Sequence, residues 1–204
     1  MYKVFINDRV IILTNKQPEN PASNSTVVHT DNKKDFKAYI DGFLNNFSKK
    51  NQTIFLINSN PELLLSYLKN YTIYIEAAGG LVKNPQDQLL FIYRYGKWDL
   101  PKGKKEPQES PDITAKREVI EECGIGGISI LSEMPPTYHM YTLPTDQWVL
   151  KKTYWYLMLS KDWENPSPQI DEDISKVIWV DLSDVHKYLE NTYASIKILI
   201  EEYF

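Results

Sequence analysis

With 204 residues, 42% of them hydrophobic and 25% charged, the chain has the composition of a soluble globular protein and the length for one or two domains with a sizeable core. A formal net charge of −4 excludes a general pull toward nucleic acid, so no nucleic-acid polymer is expected as a partner and any polyanion must meet a local basic patch. The single cysteine excludes an internal disulfide. Together with an N-terminal stretch lacking a signal-peptide core, and with no apolar run near the roughly 18 residues of a membrane span, it points to a cytoplasmic protein without membrane association.

In residues 1–14, Val4 and Ile6 alternate with other residues, and Val10 to Leu13 form an apolar run. Asn7-Asp8-Arg9 supplies turn chemistry between them, which predicts a β-hairpin. Residues 15–32 are rich in Asn, Pro, Ser and Thr and read as a loop, in which His29 has no assigned role. Phe36, Ile40, Phe43, Leu44 and Phe47 recur at helical spacing and predict an amphipathic helix over 33–47. A buried strand is predicted for Thr53 to Ile57, and Asn60-Pro61 opens a second helix through Leu63, Leu64, Leu65 and Leu68. Residues 1–70 thus read as a small α/β unit of ββαβα order. It carries no recognisable motif, and its candidate roles are shaping a substrate pocket, forming a dimer interface or bracing a second domain over 71–204.

From Tyr71 the chain runs as an alternating strand to Gly80. Asn84-Pro85-Gln86-Asp87 turns it into a strand over Gln88 to Tyr93. A cationic stretch then leads to Gly103 and the segment GKKEPQESPDITAKREVIEECGI. This segment predicts a helix capped by Ser110, with Pro111 in its first turn, Asp112 favoured by the helix dipole, and Gly124 as its stop. Ala115, Val119, Cys123, Ile120 and Ile113 are expected on the core-facing arc, with Glu118, Glu121 and Glu122 roughly opposite. Carboxylates at i, i+3 and i+4 repel one another, and that face calls for a cation, either Arg117 or a divalent metal.

Beyond this segment, Ile128 to Leu131, Tyr138 to Leu143, Val149 to Leu159 and Val177 to Val180 read as strands. Lys152, Tyr154 and Tyr156 share one face of their strand and Lys151, Thr153, Trp155 and Leu157 the other; either face is a candidate for the core. A helix from about Leu182 to Tyr203, with a break near Asn191, closes the chain.

Gly103, five residues, Glu109, seven residues and Arg117-Glu118-Val119-Ile120-Glu121-Glu122-Cys123-Gly124-Ile125 resemble the complete signature of the Nudix hydrolases. Seven fixed identities would coincide by chance on the order of once in 10⁸ to 10⁹ starting positions. A solvated acidic helix face explains the glutamates singly, but not Gly103, Glu109, Arg117 and Gly124 with them. The resemblance implies an α/β/α sandwich around a mixed sheet, preceded by the small N-terminal α/β unit, and a homodimer as one assembly.

It also implies Mg²⁺, with Mn²⁺ as the alternative, held by Glu118, Glu121, Glu122 and the Gly103 carbonyl. Glu118 or Glu122 would serve catalysis, Arg117 and Glu109 would orient the acids, and a late-loop acid among Asp171, Glu172 and Asp173, with Glu172 preferred, is the alternative base. Arg94, Lys97, Lys102, Lys104 and Lys105 are candidates for binding phosphates, and Tyr138, His139, Tyr141, Lys152 and Tyr154 for the rest of the pocket. The substrate class implied is a nucleoside diphosphate linked to another moiety, such as a dinucleoside polyphosphate or an oxidised nucleoside triphosphate. ADP-ribose, a nucleotide sugar, or a non-catalytic ligand-sensing role on the same fold remain alternatives.

Overall fold

Alternation and turn chemistry produce the expected hairpin, β1 (Tyr2–Ile6) and β2 (Arg9–Thr14), paired antiparallel with Phe5 opposite Val10. In chain order there follow β3 (Ser25–His29), α1 (Lys33–Leu44), β4 (Thr53–Ile57), α2 (Pro61–Tyr71), β5 (Ile73–Lys83), β6 (Leu89–Arg94), β7 (Lys97–Asp99), β8 (Lys102–Lys104), α3 (Pro111–Cys123), β9 (Gly126–Thr142), β10 (Trp148–Asp162), β11 (Ile174–Val180), α4 (Val185–Leu189) and α5 (Ala194–Glu201). This computed structural model describes residues 1–45 and 51–204; Phe47, assigned by its spacing to the first helix, lies outside the described residues. The chain divides into two compact units, residues 1–74 with 138–151, and residues 75–137 with 152–204.

In the first unit, β2 and β3 each pair in parallel with β4, and Val4 and Phe5 pair in parallel with Tyr138 and His139 of β9. The stripe Phe36, Ile40, Phe43 and Leu44 of α1 and Leu64 and Leu68 of α2 pack with Val4, Ile11, Leu13 and Leu56. Both helices start on asparagine caps: Asn32 Oδ1 accepts from the Asp35 amide at 2.9 Å and Asn60 Oδ1 from the Glu62 amide at 3.1 Å. Buried Arg9 donates to the Phe43 carbonyl at 2.7 Å, serving an acceptor that the end of α1 leaves unpaired. The expected loop over 15–32 is corrected by β3. Its residues are half-buried or exposed and, among the described residues, it pairs only with β4, so pairing rather than a burial pattern sustains the strand.

In the second unit the strand order is β11-β6-β5-β10-β9, with β7 on β6 and β8 on β5. Both faces of β10 turn out to be core. Tyr156 and Met158 pack with Ala115, Val119 and Cys123 of α3, while Trp155 on the other face packs with Ile196, Leu199 and Ile200 of α5. A mixed sheet between helical layers is the fold the signature implies. The two strands expected on either side of Pro135-Pro136 are one, β9, because proline's fixed φ suits extended backbone. The single C-terminal helix is corrected to a 3₁₀ turn (Leu182–Asp184), α4 and α5. The expected break near Asn191 has a direct cause: the Asn191 carbonyl accepts from the Trp98 amide at 2.9 Å, and Thr192 Oγ1 donates to the Trp98 carbonyl at 2.7 Å.

The α3 helix departs from expectation in what it buries. Ile113 and Ile120 are 53% and 46% exposed, whereas Thr114, Ala115, Val119, Glu122 and Cys123 are buried. Position 122 is two turns beyond Ala115 and so falls on the same line of the helix. Glu122 therefore enters the core-facing side rather than the opposite one, and only Glu121 is well exposed, at 49%. Ser110 stands at the cap position, but its hydroxyl donates to Asp112 instead of capping an amide. Gly124, at φ 64°, closes the helix in the left-handed conformation with its amide on the Ile120 carbonyl.

Candidate active site

A strand, a loop and a helix of the second unit deliver the signature residues to one place. β8 lies antiparallel on β5, with Gly103 opposite Ala78 and Lys104 opposite Ala77. The loop that follows folds back, Lys105 Nζ donating to the Glu109 carbonyl at 3.2 Å. It leaves Glu109 beside α3, where Thr114 Oγ1 donates to its Oε2 at 2.9 Å.

Arg117 organises the acids. Its Nε and Nη2 grip the two oxygens of Glu109 at 2.7 and 2.9 Å. Its Nη1 donates to Glu118 Oε1 at 2.8 Å and to Glu121 Oε2 at 2.9 Å, and Nη2 also reaches the Lys104 carbonyl at 3.2 Å. One planar guanidinium thus spans three carboxylates, and the bidentate grip fixes its plane. These hydrogen bonds hold the Glu109 carboxyl down at about 2, and Glu109 foremost raises the Arg117 pKa. The repulsion expected along this helix face is met by Arg117.

Glu118 and Glu122 sit in less polar surroundings. A Cβ on Gly103 would fall on the Glu118 carboxylate, so the acid occupies the space that only glycine leaves free at this strand position. Burial pushes the Glu118 carboxyl above its ordinary value, against the downward pull of Arg117. Glu122 is 2% exposed and is pushed by burial up to about 7, with Lys102 and Arg94 opposing. Its Oε2 accepts from the Lys102 backbone amide at 2.9 Å, and its Oε1 lies 3.5 Å from Arg94 Nη1.

Arg94, at the end of β6, also donates from Nη2 to Glu172 Oε2 at 3.1 Å. The late acid therefore stands at the edge of the cluster. The preceding loop is anchored on the end of α3 by the Ser167 and Gln169 amides, which donate to the Cys123 and Glu122 carbonyls at 2.8 and 3.2 Å. Asp171 and Asp173 are exposed.

The other candidates have settings of their own. Lys102 Nζ binds Asp99 Oδ2 at 2.5 Å and the Leu100 carbonyl. Lys97 lies over the Tyr193 ring, and Lys104 is exposed. Tyr154 donates to Glu76 Oε1 at 2.7 Å, and Lys152 lies over its ring. Tyr138, His139 and Tyr141 belong to the first unit. Sequence reasoning misses Glu76 and Asp99. The alternation of β5 puts Glu76 on the face of Ala78, but nothing local marks Asp99 as a partner of Lys102.

Glu118, Glu121, Glu122 and the Gly103 carbonyl make an all-oxygen donor set of the kind hard divalent cations take. Among the described residues nothing donates to Glu118 Oε2 or Glu121 Oε1, so these residues suit a magnesium-like ion in donor chemistry. Among the described residues no three acidic, histidine or cysteine side chains are already gathered as a cage, since Arg117 draws Glu118 and Glu121 to itself.

Residues 74–200 match the family profile of the NUDIX domain. Among solved structures, an Ap4A hydrolase of C. elegans in a binary complex is 20% identical and superposes with a TM-score of 0.46, over 62% of this chain and 94% of that one. A NUDIX hydrolase of Nitrosomonas europaea is 20% identical with a TM-score of 0.49 over 63% and 69%. A MutT protein of Methanosarcina mazei Go1 is 25% identical with a TM-score of 0.47 over 65% and 94%. With the profile spanning well over half of the 204 residues and the complete acidic signature folded around Arg117, the chain belongs to the NUDIX family of phosphoanhydride hydrolases.

Proposed function

We propose that the protein hydrolyses the phosphoanhydride of a nucleoside diphosphate linked to a further moiety, such as a dinucleoside polyphosphate or an oxidised nucleoside triphosphate, by Mg²⁺-dependent attack of water on phosphorus. The observation that carries this reading is the Arg117 fork, which orders Glu109, Glu118 and Glu121 while Glu122 stays buried beside them. Glu118, Glu121, Glu122 and the Gly103 carbonyl would hold the metal. When bound, a divalent cation neutralises phosphate oxygens and acidifies a water.

The protein's own share is positioning and proton handling. The water oxygen bonds to phosphorus, the bridging P–O bond breaks, and the water proton passes to a carboxylate. Glu118 suits that role, because burial raises its basicity. Glu172, held by Arg94, is the second candidate. Arg94, Lys104 and Tyr154 are assigned to the substrate side. A ligand-sensing role without turnover is disfavoured by the intact set of acids.

A substrate panel with Mg²⁺ and with Mn²⁺ tests the proposal, covering dinucleoside polyphosphates, oxidised dGTP, ADP-ribose, sugar nucleotides and inositol pyrophosphates. Turnover of a nucleoside polyphosphate far above the rest is the expected result. A clear preference for ADP-ribose or a sugar nucleotide would replace the substrate assignment. No turnover of any compound would favour the sensing role.

A further inference from the structure

Glu122 is nearly inaccessible and among the described residues has two donors, the Lys102 main-chain amide at 2.9 Å and, more distantly, Arg94. The aim of that amide, and the seat of Gly103 under Glu118, depend on how the three residues Pro101-Lys102-Gly103 are held. On the main-chain side, β8 pairs with β5 and the Pro101 carbonyl accepts from the Gly80 amide at 3.1 Å. On the side-chain side, the Lys102 ammonium turns inward to Asp99 Oδ2 and the Leu100 carbonyl. Asp99 is 4% exposed, its Oδ1 accepts from the Leu100 amide at 2.8 Å, and its backbone pairs with Ile92 of β6.

An ion pair this enclosed is a poor source of stability, because desolvation of both charges offsets their attraction. Its specific effect is geometric. It ties the residue whose amide serves Glu122 to a strand that lies outside the signature, and it commits to Asp99 a charge that would otherwise be available to a phosphate.

We propose that Asp99 is a positioning residue for hydrolysis: by fixing the Lys102 side chain it aims the Lys102 amide at Glu122 and seats Gly103 beneath Glu118, and the Lys102 ammonium does not bind substrate. This inference rests on the hydrolase reading of the same site. It separates Lys102 from Lys104, whose side chain is exposed.

The test uses the full chain with Asp99→Asn, Lys102→Met and the double variant, read in two ways. Steady-state kinetics give kcat and KM, and the ¹H,¹⁵N resonance of the backbone amide at position 102 reports the hydrogen bond to Glu122 without any turnover. Each single variant is expected to lower kcat roughly 10- to 100-fold with KM within about twofold. Each should also shift that amide upfield, and the double variant should be no slower than the slower single, as two residues acting through one contact require.

An unmoved amide resonance, losses that multiply in the double variant, or a Lys102→Met enzyme with raised KM and unchanged kcat would each overturn the proposal. The last would place the ammonium on the substrate. Should Asp99→Asn fail to fold, Lys102→Met retains both the amide and Asp99 and carries both readouts alone. Absence of turnover in the unmodified protein would overturn the hydrolase reading, while the amide shift would still decide whether Asp99 aims Lys102.

Discussion

Glu122→Gln is expected to lower kcat on the order of 10³-fold while making the metal-free fold more stable at alkaline pH. The rate falls because a neutral amide cannot supply the negative charge that the proposed donor set contributes. The stability effect follows from burial. The Glu122 carboxyl is raised from 4.5 to about 7 in the folded protein, so the fold favours its protonated form. Stability linked to this group is therefore fully present below pH 4.5 and is lost as pH rises through 7. The loss above pH 7 amounts to about 3 kcal/mol, an order-of-magnitude figure at 1.36 kcal/mol per unit.

Glutamine carries no such titration. In chelator, the variant should melt several degrees above the parent at pH 8, and the two should converge near pH 4.5. Thermal melts across that range check it. A variant less stable at pH 8, or one with parental turnover, would contradict the placement of Glu122 as a buried functional acid.

Gly103→Ala is likewise expected to lose activity with the fold retained, but without a pH-dependent change in stability. The Gly103 backbone is extended and tolerates alanine, and an alanine in a strand is favoured over glycine by roughly 0.5–1 kcal/mol. The obstacle is the Glu118 carboxylate, which lies where the new Cβ must go. That carboxylate is the far end of a flexible side chain, so it can move aside with little cost to the fold. Its new position would break the contact with Arg117 Nη1 and displace the proposed base. Misplacement by about 1 Å can cost on the order of 10²-fold in rate, and a loss of that size in kcat with an unchanged melting temperature is the expected result. Full activity would show that the carboxylate's location against Gly103 is immaterial.

Much of this architecture was legible in the sequence because period and punctuation coincide. Asn60-Pro61 and Gly124 mark helix ends through specific backbone chemistry, and the stripe of α1 repeats at 3.6 residues. The signature was legible as a spacing, and Arg117 meets Glu109, Glu118 and Glu121 in the structure. Three kinds of feature were not. The strands β3, β7 and β8 are short or at an edge, with too few alternations to declare a period. Apolar identity misled at Ile113 and Ile120, while Glu122 lies on the buried line set by Ala115. The pairing of Lys102 with Asp99 depends on how β7 and β8 are placed by β6 and β5, which no local pattern reports.

On the proposed function, the acids gathered by Arg117 hydrolyse a phosphoanhydride with a divalent cation. The decisive experiment follows phosphate-bond cleavage of the best panel substrate with ³¹P NMR in parallel reactions of the unmodified protein with Mg²⁺, the same protein with chelator, and Glu118→Gln with Mg²⁺. Cleavage is expected in the first, with a loss of roughly 10² to 10⁴-fold in the other two. Cleavage that persists in chelator and in Glu118→Gln would contradict it.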